Sequence, residues 1–303
     1  MVWDSTVKSP RHACSRRRWA VKLAGIATSL SCLSGCSGAG GRPACQPGVN
    51  AAESWIINGQ QLQLIEASGS AAARYAFEQR NLLVLERPGK VSQIGQTVAY
   101  FASYQDLKLA IERGAIPPGV HWVMYDNERW KQTPPIEQNS PKRYMTLFAD
   151  FAHRHGYRVI LSPAQDLVFG YRGPAFHARG PAWQRYISMG LAAAAARVAN
   201  VYEIQAQANE LPVHRASDAY ESFVRSAAAQ ARAANSHIKI FAGLSTKRVS
   251  SASQLSQDFL ATRSLVAGYW MNIPPSGQVD PESIAVPFLQ QLPAASAADG
   301  GSC

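Results

Sequence analysis

Most of the short signatures that spell out a reaction are missing from this chain. Among its 303 residues there is no G-x-S-x-G turn, no H-E-x-x-H pair and no G-x-x-x-x-G-K-[ST] loop, so serine hydrolase, zinc protease and P-loop chemistry lose their usual supports. Cysteine is scarce, with 5 residues and no C-x-x-C spacing, which argues against a zinc site of that kind. Histidine gives little more. His153 and His155 point different ways on one expected helix and suit its C-terminal end, while His177 and His214 stand alone in expected loops, so no metal site is indicated. No cofactor fingerprint appears. No apolar run reaches the roughly 20 residues that span a bilayer. Acids are few as well, 20 against 30 Lys and Arg, for a formal charge of +10. That excess is uneven, because residues 1–35 hold six of the bases and one of the acids. The remainder is only modestly basic and has no basic run, which makes nucleic acid a poor partner.

The front of the chain is organised as an address. Arg16, Arg17, Arg18 and Lys22 precede an uncharged stretch at 23–33 that ends in small residues, the layout of an export signal. At its end, Leu33-Ser34-Gly35-Cys36 resembles the bacterial lipobox, and a Gly/Ser/Pro-rich stretch follows to residue 50. The resemblance implies a signal at 1–35, a lipid on Cys36 that tethers the protein to a membrane, and a flexible linker over 36–52. An ordinary cleaved signal is the alternative. Ser15-Arg16-Arg17-Arg18-Trp19 also resembles a twin-arginine export signal, although a plain arginine cluster serves general export equally well. With Cys14 and Cys32 removed in the leader, Cys45 and Cys303 remain near the two ends of the mature chain. A disulfide between them is expected in an oxidising compartment if the ends meet, two free thiols otherwise.

Past the linker, short apolar or β-branched runs alternate with segments of helical period, the pattern of a parallel sheet covered by helices. Seven strands are expected, at 82–86, 97–102, 121–128, 158–162, 201–207, 238–245 and 267–273, with an eighth at 54–57 or 61–65. The N-terminal strand is the least regular of them. Met145, Phe148, Phe151 and Ala152 form one helical stripe ending at His155-Gly156. Trp183, Ile187, Leu191, Ala194 and Val198 form a second, and Tyr220, Phe223, Val224, Ala227 and Ala231, behind the candidate cap Ser217, a third. The fold class is therefore α/β, a (β/α)8 TIM barrel over 53–295 with a tail at 296–303; about 240 residues is the usual size. An open doubly wound sheet is less favoured, since no Gly-rich phosphate turn follows an early strand.

Barrel chemistry sits at the C-terminal ends of the strands. Asp126 and Glu128 end the third run two residues apart, so if Trp122 and Met124 point into the barrel, both carboxylates do too. Glu203, Gln205 and Gln207 alternate with apolar residues and should share the interior. A buried carboxylate needs a partner. Lys239 is one candidate for Glu203, which would make that pair a structural brace instead of part of a polar floor. Asp166 and Asn209-Glu210 lie just beyond strand ends, where they serve chemistry or anchor loops. Trp130, Tyr171, Trp270 and Asn272 add aromatic faces and an amide around one mouth, as a sugar ring requires.

Here the chain resembles, in fold alone, the TIM-barrel glycoside hydrolases and their inactive relatives. Asn209-Glu210 is similar to the Asn-Glu that many of them use as acid/base, and Asp126-x-Glu128 to the end of the chitinase-type motif. Both matches are partial, because Met124 stands where an earlier acid belongs and Trp270 and Asn272 occupy the later strand end. The resemblance implies a glycan substrate, with Glu128 as proton donor and Glu203, Asp166 or Glu210 as its partner. A non-catalytic barrel that binds a glycan or serves the envelope structurally is the alternative.

Overall fold

In a computed structural model, described for residues 54–77, 81–170, 180–210, 218–274 and 282–292, eight parallel strands close into a barrel in simple sequence order. They are β1 (Ser54–Asn58), β2 (Leu82–Glu86), β3 (Gln96–Phe101), β4 (Trp122–Asn127), β5 (Arg158–Pro163), β6 (Val201–Ile204), β7 (Lys239–Ser245) and β8 (Gly268–Asn272). The helices are α1 (Gly59–Ala67), α2 (Ala71–Phe77), α3 (Tyr104–Glu112), α4 (Pro135–Asn139), α5 (Pro141–Arg154), α6 (Ala182–Met189), α7 (Leu191–Val198), α8 (Asp218–Ala234), α9 (Ala252–Thr262) and α10 (Glu282–Gln291). The leader, Cys36, Cys45, Tyr171, His177, His214, Ser217, the tail and Cys303 lie outside the described residues.

Side-chain alternation along the strands produces two separate apolar layers. Leu83 and Leu85 of β2, Trp122 and Met124 of β4, Ile160, Val201, Phe241 and Trp270 form one buried cluster with Ile56 and Val98, filling the barrel. The opposite parity, including Val123, Tyr125, Val159, Leu161, Tyr202, Ile240 and Tyr269, packs with the helices in the other. Along several strands the interior column turns polar at its C-terminal end: Met124 is followed two residues on by Asp126, Ile160 by Ser162, Val201 by Glu203 and Val98 by Tyr100. The apolar plug therefore fills the lower barrel and leaves a polar floor beneath the mouth.

The seam between the first and last strands is regular. Trp55 and Ile56 of β1 pair with Leu82 and Leu83 on one side and with Tyr269 and Trp270 on the other. Trp55 also meets Phe77 of α2, Tyr269 and Phe288 of α10, at ring-centroid distances of 5.6, 5.9 and 6.5 Å. The first strand thus lies at 54–58, and the alternative at 61–65 falls within α1, which Asn58 caps by accepting the Gln60 N–H at 3.0 Å.

Two expectations about elements are corrected. The stripe from Trp183 to Val198 is broken at Gly190, whose φ of 66° lies in the left-handed region, so it forms α6 and α7 instead of one helix. The sixth strand stops at Ile204 instead of Gln207, because the chain tightens into a 3-10 turn at Gln207–Asn209. Period-two alternation consequently does not govern Gln207. The α5 and α8 stripes behave as expected, their apolar members buried apart from the half-buried Phe151.

Candidate active site

Above the polar floor opens a cavity of about 350 Å³. Glu128, Asp166, Gln205, Gln207, Lys247, Arg248, Trp270 and Asn272 contribute to its wall. All of them follow or end the C-terminal halves of strands, where a parallel barrel directs its loops.

A hydrogen-bonded cluster of carboxyls underlies that wall. Asp126, on the last turn of pleat of β4, is buried and accepts from the Tyr100 hydroxyl at 2.6 Å and from the Gln205 amide. The same amide donates to the Ser162 carbonyl at 3.0 Å, and Ser162 Oγ donates to Glu203 at 2.5 Å. Gln165 holds Gln205 from behind, its amide reaching the Gln205 carbonyl at 3.0 Å. Glu128 follows β4 directly and lines the cavity beside this network, near enough to Asp126 and Gln205 for all three to interact. Two neighbouring carboxylates repel, so ionising one makes the other harder to ionise and the two titrate together.

Burial sets the electrostatics. It lifts Asp126 well above the usual carboxylate range, the Glu128 charge adds to this, and the Tyr100 hydrogen bond pulls back. Burial likewise raises Glu128, joined by the charge of Asp166 and opposed by Gln205, by Asp126 and then by Lys247. Glu203 is pushed up to about 8 by burial against the Ser162 hydrogen bond. Asp166 is raised by burial too, and the Arg129 N–H that it accepts at 3.0 Å lowers it. Burial thus favours the protonated form of every carboxyl along this network.

The structure brings together Asp126, Glu128, Glu203, Asp166, Gln205, Gln207, Trp270 and Asn272 as the sequence suggested, and separates others. Lys239 is exposed at the first position of β7, and Glu203 takes Ser162 as its partner, so the candidate ion pair between them does not form. Glu210 is buried away from the cavity, accepting the Ser245 N–H at 2.7 Å, and so fastens the end of β7 instead of serving the mouth. Trp130 turns into its own loop, donating from Nε1 to Thr133 at 2.7 Å, and is not part of the cavity wall. Asp166 does both jobs, anchoring the β4 loop through Arg129 while lining the cavity.

Sequence reasoning missed Tyr100, Ser162, Lys247 and Arg248. The first two share the inward parity of Val98 and Ile160, and that signal was available. The two cations follow β7 directly, where the strand boundary was read correctly but the turn beyond it was not followed. Among the described residues, no group of three His, Cys, Asp or Glu side chains is arranged to hold a metal ion.

No family model matches the chain, and no curated protein does. Solved structures with related backbones include an archaeal fructose-1,6-bisphosphate aldolase, at 9% identity and TM-score 0.42 over 79% of this chain and 92% of that one. The spore cortex-lytic enzyme SleL of Bacillus megaterium QM B1551 is similar at 9% identity and TM-score 0.45, over 78% and 72%. A sugar phosphate isomerase/epimerase from Parabacteroides distasonis ATCC 8503 matches at 10% identity and TM-score 0.33, over 82% and 97%. By its own strand pairing the described chain is a closed parallel (β/α)8 barrel, and these likenesses assign no family narrower than that fold.

Proposed function

We propose that the protein is a carbohydrate-active barrel that hydrolyses a glycosidic bond at this mouth. The observation that carries the reading is Glu128, two residues from the buried Asp126, opening into a cavity that also holds a second carboxyl, Asp166, and the indole of Trp270. Glu128 gives its proton to the glycosidic oxygen as the C1–O bond breaks. Asp126, held by Tyr100 and Gln205, steadies the positive charge that grows on the ring. Asp166 takes a proton from the water that adds to C1, and the proton returns to Glu128 by exchange with solvent. Trp270 offers an apolar face to the sugar ring. Turnover of an oligosaccharide panel tests this: wild type cleaves at least one member, while Glu128→Gln binds it and loses about 100-fold or more in kcat. Binding by both proteins without any turnover overturns the hydrolase reading.

One observation favours a second reading, a barrel that only holds its glycan. Asp166 already accepts the Arg129 backbone N–H, a fastening task that a loop needs whether or not the site is catalytic. We propose further that the protein works at the bacterial cell envelope, tethered by a lipid on Cys36, a reading supported by the arginines, apolar run and lipobox-like segment of the leader. Mass analysis of the Cys36 peptide from membranes tests it, and an unmodified or cleaved-away Cys36 refutes it.

A further inference from the structure

The cavity wall is electrically two-sided. Its carboxyls, Glu128 and Asp166, come from the chain after β4 and β5, whereas Lys247 and Arg248 come from the turn directly after β7. Closed sequential strand order puts these segments on different sides of the mouth. Both cations are exposed, and among the described residues neither is held in an ion pair, although Glu128 feels the charge of Lys247 and the buried Glu210 that of Arg248. Their turn is held firmly. The Lys247 N–H bonds to Ser245 Oγ at 3.1 Å, and the Ser245 N–H is itself fixed by the buried Glu210 at 2.7 Å. Trp270 shares the same cavity wall and is 8% exposed.

A neutral sugar settling here would strip water from two cations and return hydroxyl contacts at best, a net cost. An anionic group repays that loss with charge-assisted hydrogen bonds. We infer that the glycan taken by this mouth carries an anionic group, a carboxylate or a phosphate, seated against Lys247 and Arg248 while the bond to be cleaved faces Glu128. This deepens the glycan reading and rests on it.

The experiment measures binding by calorimetry to the full chain carrying Glu128→Gln, which stops turnover. The probes are an oligouronate, its carboxyl-reduced neutral counterpart, a hexose phosphate and inorganic phosphate, each also tested on a second protein with Lys247→Gln and Arg248→Gln added. The expected result is that an acidic sugar binds about tenfold or more tightly than the neutral one, with a preference that falls with added salt and collapses in the triple variant. Preference for the oligouronate assigns a carboxylate, and preference for the hexose phosphate assigns a phosphate. Equal affinity for acidic and neutral sugars overturns the inference and leaves the glycan reading intact. An acidic preference that survives in the triple variant overturns it too, since the anion is then held elsewhere. Inorganic phosphate binding that needs both cations, with no sugar bound, supports the anion seat and refutes the glycan reading. Silence on all four probes overturns both.

Discussion

Glu203 shows how burial and chemistry meet in one side chain. It lies inside the barrel with one oxygen on Ser162 and the other without a partner, so its protonated form is the one that folding favours. With a folded value of about 8 against an ordinary 4.5, the folded protein keeps this proton over a range where the unfolded chain has released it. Its contribution to stability is therefore complete below the ordinary value, falls as pH rises, and is gone above about 8. Denaturation at pH 5 and pH 9 checks the sign: wild type loses more stability between the two than Glu203→Gln, and equal losses would assign the dependence to other groups. Tyr100 makes a second test. Its hydroxyl lowers the proton affinity of Asp126, so Tyr100→Phe should raise that affinity, shift the acid pair's limb of the pH–rate profile upward and cost about tenfold in kcat. An unchanged profile would make Tyr100 a packing residue only.

The elements explain why the carboxyl cluster forms where it does. Several inward columns are apolar below and polar above, and the crossing point is set by strand register: Asp126 lies opposite Ser162, and Glu203 opposite Phe241. Gly243, next to Phe241's level on β7, leaves the space that the Gln207 amide fills, since any Cβ there would collide with it. The closing strand has a similar requirement. A Cβ on Gly268 would meet the Ser54 carbonyl and the Phe241 ring at the β1–β8 seam. Gly268→Ala should therefore destabilise the protein by roughly 1–3 kcal/mol, visible as a lower thermal midpoint, because backbone and a packed ring must both move. A variant as stable as wild type would mean that the seam is loose. Strand existence, helix faces and the parity of the Asp126–Glu128 pair were legible beforehand, because a period of two or 3.6 is written locally. The break at Gly190 and the early end of β6 were not, since an apolar stripe continues across a left-handed glycine and alternation continues past the point where the chain tightens.

At the scale of the whole molecule, barrel closure decides partners. If the chain ends are drawn together and exported, Cys45 and Cys303 should be joined; intact mass under non-reducing conditions should then be lower by two hydrogens than after reduction, whereas two alkylatable thiols would end the idea. The amino-acid order by itself determined the alternation of strands and helices, seven of the eight strands, the apolar lining of the barrel and the crowding of acids at two strand ends, because those depend on local period and on which residues tolerate water. It did not determine that Glu203 turns to Ser162 and leaves Lys239 to solvent, that Glu210 is withdrawn to fasten β7, or that Lys247 and Arg248 share a cavity with Glu128. Those outcomes join residues tens of positions apart, and only the closed register of eight strands fixes which of them meet.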